Sequence, residues 1–324
     1  LTAAKAAAHA RCYAEPKRTL GDKPMKILVP VDGSKYSDAA LAFIASRTTL
    51  IGAKPEVELL NVQPPVPPRI ERIASRATIR GYLAAEANQI LEPAVAKLLR
   101  AGLAVRSGFA VGAPGAEIAR AAARIGADLI VMGSHGHGAV KGLLLGSVTQ
   151  AVLASCTTPL LVVRDAAAPR RDSLAVGIAV DGSKYGAAAV RYALAHRDLW
   201  GASPTLRLLH VVPDLAALVI PGLGDAPLAL YKPEQVVAMQ TERFDAAVGP
   251  ARKQFERAGL KVDAVCLIGN DPGGELAAYA KREKLDVLLL GSHGRGALKS
   301  AVLGSVASRV AAQCRTPLLL VREA

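Results

Sequence analysis

The feature that most constrains the fold is an internal duplication whose unit is a series of strand and helix patterns. Gly133-x2-Gly136-x9-Gly146-Ser147 returns as Gly291-x2-Gly294-x9-Gly304-Ser305. Ile27-Leu-Val-Pro-Val-Asp-Gly-Ser34-Lys-Tyr36 returns as Val176-Gly-Ile-Ala-Val-Asp-Gly-Ser183-Lys-Tyr185, and Thr158-Pro-Leu-Leu-Val-Val-Arg164 returns as Thr316-Pro-Leu-Leu-Leu-Val-Arg322. A period this long, with several elements inside it, means duplicated domains and excludes a solenoid. The 324 residues suit two domains of about 150 each.

Within the first unit, residues 28–31 form a short apolar run that reads as a buried strand. Asp32-Gly33-Ser34 follows as a turn capping a helix over 36–50. Residues 57–62 read as a second strand. Pro64 to Pro68 make a loop into a long helix near 76–101, which Gly102 ends as a C-cap glycine should. A strand over 105–111, a helix over 115–125, a strand over 127–132, a short helix over 147–155 and a strand over 160–163 complete the unit. Short apolar strands alternating with helices call for a parallel sheet covered on both faces. The fold class is therefore α/β, with two Rossmann-like, open twisted five-stranded parallel-sheet domains in tandem and helices on both faces of each. The divisions are a leader 1–24, a first domain 25–164, a linker 165–173 and a second domain 174–324. The interval from Asp32 to Val62 equals that from Asp181 to Val211. The main length difference falls between Pro213 and Lys232. The linker is too short to let the domains wander.

Residues 1–24 carry no period tied to the repeat and no continuous apolar core of a secretory signal. We read them as a disordered leader or a start placed too far upstream, with Met25 opening the folded unit. No run reaches the ~18 apolar residues of a membrane span. Cys12, Cys156, Cys266 and Cys314 form no CxxC pair, which argues against a disulfide frame or zinc site and for a reducing cytoplasm. Cys156 and Cys314, at matching points before each last strand, read as small buried fillers. The net charge of +13 invites a nucleic-acid reading. The cations are nevertheless scattered, with no basic block beyond Arg170-Arg171 and no stacking aromatics beside it, so nucleic acid is not the expected partner.

The glycine patterns carry the chemistry. Each follows an apolar strand and precedes a helix, so backbone N–H groups can converge on an anion at a positive helix N-terminus. In an open parallel sheet, ligands bind beyond the carboxyl ends of the strands where strand order reverses. The Asp32 turn and the glycine loop are both carboxyl-end segments. Gly133 and Gly136 are expected to bring backbone close to sugar and phosphates, and Gly146 and Ser147 to present N–H groups and a hydroxyl. Asp32 and Asp181 read equally well as ligand acceptors and as helix caps. His135, His137 and His293 read as polar loop residues, since two histidines at i, i+2 without a third ligand make a poor metal site. Lys141, Arg295 and Lys299 face either phosphate or solvent.

On these motifs both halves resemble universal stress protein domains of the nucleotide-binding kind, whose signature is Gly-x2-Gly-x9-Gly-Ser/Thr. The likeness runs from Met25 to the C-terminus. It implies that Val31, Asp32, Val62 and Met132 surround adenine and ribose, and that Gly133, Gly136, Gly146, Ser147 and Val148 surround ribose and phosphates. The second-half counterparts are Val180, Asp181, Val211, Leu290, Gly291, Gly294, Gly304, Ser305 and Val306. The resemblance implies an adenine nucleotide as partner, ATP as ligand with Mg²⁺ as its companion, and a cytoplasmic regulator or sensor of stress with at most slow hydrolysis. It also implies a pseudo-two-fold pairing of the halves through residues 160–163 and 318–321, and leaves a homodimer open. The halves part after the serine, Val148-Thr149 against Val306-Ala307, so equal affinity at the two sites is not implied. The alternatives are an adenylating enzyme of related architecture and a basic nucleic-acid-binding module. An adenylating enzyme would carry Ser-Gly-Gly-x-Asp-Ser or His-x-Gly-His after the first strand, where this chain has Asp32-Gly33-Ser34-Lys35.

Overall fold

In the computed structural model the described residues are 23–136, 145–164, 169, 171–215, 232–294 and 303–322. The first half runs β1 (Lys26–Pro30), α1 (Lys35–Ala45), α2 (Thr48–Gly52), β2 (Glu56–Gln63), α3 (Pro68–Ile73), α4 (Arg76–Arg100), β3 (Val105–Val111), α5 (Pro114–Ile125), β4 (Leu129–Gly133), α6 (Ser147–Ser155) and β5 (Leu160–Val163). The second runs β6 (Ala175–Ala179), α7 (Lys184–Ala195), β7 (Thr205–Val212), α8 (Pro233–Arg257), β8 (Asp263–Ile268), α9 (Pro272–Arg282), β9 (Val287–Gly291), α10 (Ser305–Gln313) and β10 (Leu318–Val321), with a 3-10 turn at Arg197–Leu199.

Local chemistry sets the element ends. The hydroxyls of Ser34, Ser75 and Ser183 accept from backbone N–H groups in the first turns of α1, α4 and α7, as N-cap residues do. Proline opens α5, α8 and α9, where no N–H is needed. Gly126 ends α5 in the left-handed region at φ 63°.

The helix expected over 36–50 breaks after Ala45 and resumes at Thr48. The break turns Arg47 inward, fully buried, where its Nη1 donates to Asp172 O (2.6 Å) and its Nη2 to Arg171 O (2.8 Å) of the linker. Asp172 answers by accepting from Thr48 N (2.9 Å) and Thr49 Oγ1 (2.6 Å). Arg47→Ala would leave these part-buried linker carbonyls without their guanidinium donor. We expect a loss of about 2–4 kcal/mol, read as a lower urea midpoint for the full chain; an unchanged midpoint would show that the linker is held elsewhere.

The strand order is β3-β2-β1-β4-β5-β10-β9-β6-β7-β8 in a single 10-stranded sheet. Pairs within each half are parallel, whereas β5 and β10 meet antiparallel in the register Leu318↔Val162, Leu319↔Leu161, Leu320↔Leu160. The two five-stranded sheets are thus joined edge to edge, through the strands anticipated for the pseudo-two-fold contact. Both seam strands are buried along their whole length. Leu161, Val163, Leu319 and Val321 face one apolar layer with residues of α1, α4, α7 and α8. Leu160, Val162, Leu318 and Leu320 face the other, with α5, α6, α9 and α10. This period of two is what a doubly covered strand requires.

Of the two cysteines taken as core fillers, Cys314 is buried while Cys156 is only half-buried, and Cys266 is exposed. Cys156 sits at the end of α6, packed against the margin of the apolar core, while Arg322 reaches its carbonyl. Burial pushes both the Cys156 and Cys314 thiols up. Cys12 and nearly all of the leader lie outside the described residues, as does most of the Pro213 to Lys232 insertion. Among the described residues no helix is long and apolar enough to cross a membrane.

Candidate functional site

Strand order reverses between β1 and β4, and again between β6 and β9. Beyond the carboxyl ends of each pair the turns diverge and leave a cleft. The first has a volume of about 380 Å³ and the second about 370 Å³, within the range of small-molecule sites. Val31, Asp32, Val62, Met132, Gly133, Gly136, Gly146, Ser147 and Val148 all line the first. Val180, Asp181, Val211, Leu290, Gly291, Gly294, Gly304, Ser305 and Val306 all line the second. Residues scattered over most of each half therefore converge on one cleft per half.

The aspartates combine the two roles open to them. Asp32 Oδ1 accepts from Ser34 N (3.0 Å) and shapes the turn, while the helix cap itself is Ser34. Its other oxygen, Oδ2, points toward Gly136: a Cβ built there would lie 2.6 Å from it. Asp181 repeats this, with Oδ1 accepting from Ser183 N (2.9 Å) and Oδ2 lying 2.9 Å from a Cβ built on Gly294.

The glycines of the signature divide by task. Gly146 N donates to Ser134 O and Gly304 N to Ser292 O, both at 2.8 Å, closing the neck of each loop. As N-caps without a side chain, Gly146 and Gly304 leave the first-turn N–H groups of α6 and α10 uncapped, the condition for anion binding at a helix start. Gly133 departs from expectation. A Cβ there would fall 2.6 Å from both the Cβ and the backbone carbon of Tyr36, and one on Gly291 would fall 2.7 Å and 2.8 Å from those of Tyr185. These two glycines line the clefts, but their missing side chains let α1 and α7 pack directly on β4 and β9.

His135 and His293 also line the clefts. Each ring lies 5.4 Å from a tyrosine, Tyr36 or Tyr185, with its Nδ1 at 3.0 Å from the preceding serine hydroxyl. His137, Lys141, Arg295 and Lys299 lie outside the described residues. Among the described residues no group of three or more His, Cys, Asp or Glu side chains comes together.

Further lining residues were not anticipated: Ser37, Pro114 and Ile118 in the first cleft, His210, Pro272 and Leu276 in the second. The prolines open the helices after β3 and β8, also at the carboxyl edge, so the strand-to-helix transition was their one available signal. The clefts differ in polarity. Thr149 Oγ1 donates to Gly133 O (3.3 Å) and Ser134 O (3.4 Å), a support that Ala307 lacks. Gly186 stands in place of Ser37, and His210, whose Nδ1 pairs with Val180 O at 2.7 Å, in place of Asn61, whose Nδ2 donates to Val31 O at 2.8 Å.

Comparison with known proteins covers both halves. The model of the universal stress protein family matches residues 24–164 and 175–322. A universal stress protein of Mycolicibacterium smegmatis is 31% identical over 301 residues, covering 91% of this chain and 96% of its own. Universal stress protein Rv1996 of Mycobacterium tuberculosis is 27% identical over 311 residues, covering 91% and 94%. Among solved structures, a universal stress protein from Archaeoglobus fulgidus superposes with a TM-score of 0.62 at 21% identity, covering 92% of this chain and 98% of that one, a likeness of fold. With a strand order that reverses beside each signature, and family matches over both halves, this chain belongs to the universal stress protein family as a tandem of two of its domains.

Proposed function

We propose that each half binds one adenine nucleotide, ATP accompanied by Mg²⁺, and that the protein acts as a cytoplasmic regulator or sensor of stress and not as a fast enzyme. The observation that carries this reading is the repeated convergence of an aspartate oxygen, a glycine that leaves room beside it and an uncapped helix start on one cleft. The clefts fit the ligand in size and in division of chemistry. Val31, Val62 and Met132, with Val180, Val211 and Leu290 in the second half, offer apolar walls to a base. Asp32 and Asp181 offer an acceptor to a ribose hydroxyl or a hydrated cation. Gly136, Gly146 and Ser147, and their counterparts Gly294, Gly304 and Ser305, offer backbone N–H groups and a hydroxyl to phosphates.

Rapid phosphoryl transfer needs an acid holding the metal, a group positioning the attacking water and charge aimed at the transition state. Among the described residues each cleft brings backbone donors, hydroxyls and a single carboxylate, which suit holding better than turnover. Titration calorimetry with Mg-ATP is expected to give two nucleotides per chain, and a steady-state assay a turnover below ~1 s⁻¹. Absence of ATP binding by the intact chain would overturn the binding reading. Faster turnover that is lost in the double variant Asp32→Ala, Asp181→Ala would move the protein into the enzyme class.

A further inference from the structure

Each half ends its last strand with an arginine, and each arginine reaches into the other half. Arg322, following β10, donates through Nη1 to Leu153 O and to Cys156 O (2.9 Å) at the end of α6. Arg164, following β5, donates through Nη2 to Ala311 O near the end of α10. The helices so held are those whose opposite ends, Gly146-Ser147 and Gly304-Ser305, line the clefts.

The last carbonyls of a helix have no partner within it, and a cation placed there also complements the helix dipole. α6 and α10 have 9 residues each, about 13 Å from end to end. Helices so short are marginal on their own, and their glycine N-caps contribute no side-chain bond. The guanidinium is thus a fixed anchor at one end of a short rod whose other end faces the ligand.

We infer that Arg322 and Arg164 are positioning residues acting in trans: Arg322 of the second half sets the phosphate-facing helix of the first site, and Arg164 of the first half sets that of the second. The inference rests on the nucleotide reading above and adds to it that neither site is complete without the other half. A purely local role predicts the opposite pattern. Ser292 N donates to Val321 O (2.8 Å) and Ser134 N to Val163 O (2.9 Å), so an effect of each arginine through its own strand would be felt at the glycine loop of its own half.

The test uses the full chain with one site blocked, Gly294→Val to leave the first site and Gly136→Val to leave the second, and titrates each with Mg-ATP. With only the first site open, Arg322→Ala is expected to weaken binding about 5- to 30-fold, while Arg164→Ala leaves it within about twofold, inside the usual scatter of distant substitutions. With only the second site open the two arginines exchange effects. Arg322→Lys and Arg164→Lys, which keep the charge, should restore part of the loss and serve where the alanine variants fold poorly. Hydrogen exchange in the Arg322 variants should quicken over residues 147–155 and not over 305–313. Weakening confined to the arginine's own half, or binding at both sites indifferent to every arginine variant, would overturn this inference alone. No ATP binding by the unsubstituted chain would overturn the nucleotide reading and the inference with it.

Discussion

Valine at Gly136 and Gly294 together should abolish ATP binding by a chain that remains folded. Neither glycine has a positive φ, so a side chain brings no backbone strain. A Cβ at Gly136 would fall 2.6 Å from Asp32 Oδ2, and one at Gly294 would fall 2.9 Å from Asp181 Oδ2. Those oxygens end flexible side chains, so the folded state accommodates valine by turning the carboxylate away. The accommodation empties the site of its acceptor and puts two methyl groups where a ligand would lie. We expect each single variant to lose about 100-fold in affinity at its own site, ~2.8 kcal/mol, with the thermal midpoint nearly unchanged. Calorimetry and a circular dichroism melt on the same samples would show this. Affinity retained within threefold at both sites would mean that the glycine loop does not approach the ligand.

Alanine at Gly133 should do the reverse, unfolding more than it unbinds. The intruding Cβ would meet the Tyr36 backbone carbon and Cβ at 2.6 Å and its carbonyl oxygen at 2.8 Å. Backbone cannot swing aside, so α1 must lift from β4. α1 buries Leu41, Phe43 and Ile44, and lifting it opens the core beneath. We expect a loss of about 3 kcal/mol, the upper range for overpacking, measured as a lower urea midpoint. Gly291→Ala should act alike, since its Cβ would lie 2.7 Å from Tyr185 Cβ and 2.8 Å from its backbone carbon. A midpoint unmoved by either change would show that the helix yields freely. Two glycines three residues apart in one signature thus have separable tasks, the first in packing and the second in binding.

That separation was not legible in the sequence, where both glycines read as backbone approaching phosphate. Elements bounded by their own chemistry were legible: β3, α6 and β5 occupy the residues anticipated for them, α6 marked by its Gly-Ser start and β5 by an apolar run. Where a distant group decides, local pattern fails. The break after Ala45 depends on Arg47 finding linker carbonyls far along the chain. α3 begins at Pro68 inside a proline-rich stretch, where the prolines suggested loop but the last of them suits a first helical turn. β4 starts at Leu129 and not at residue 127, since Ala127 N is engaged with Ala122 O in the turn around Gly126. The clefts were legible where the duplication marked them. Ser37 and Ile118 on helices and His210 on β7 went unmarked, because nothing in a linear pattern says which neighbouring side chains turn toward the strand ends.

The seam between β5 and β10 also has a consequence for how the molecule comes into being. β5 precedes its partner β10 in the chain by roughly 150 residues. At about 5–20 residues per second, the roughly 150 residues between them take about 8–30 s to appear. For that interval the nascent first half presents Leu160–Val163 as an apolar strand edge with no neighbour, a template for any strand of matching pattern. A second ribosome on the same message carries just such a strand. Crowded synthesis should therefore yield exchanged dimers in which the β10 of one chain completes the sheet of another, and slower initiation should lower their share.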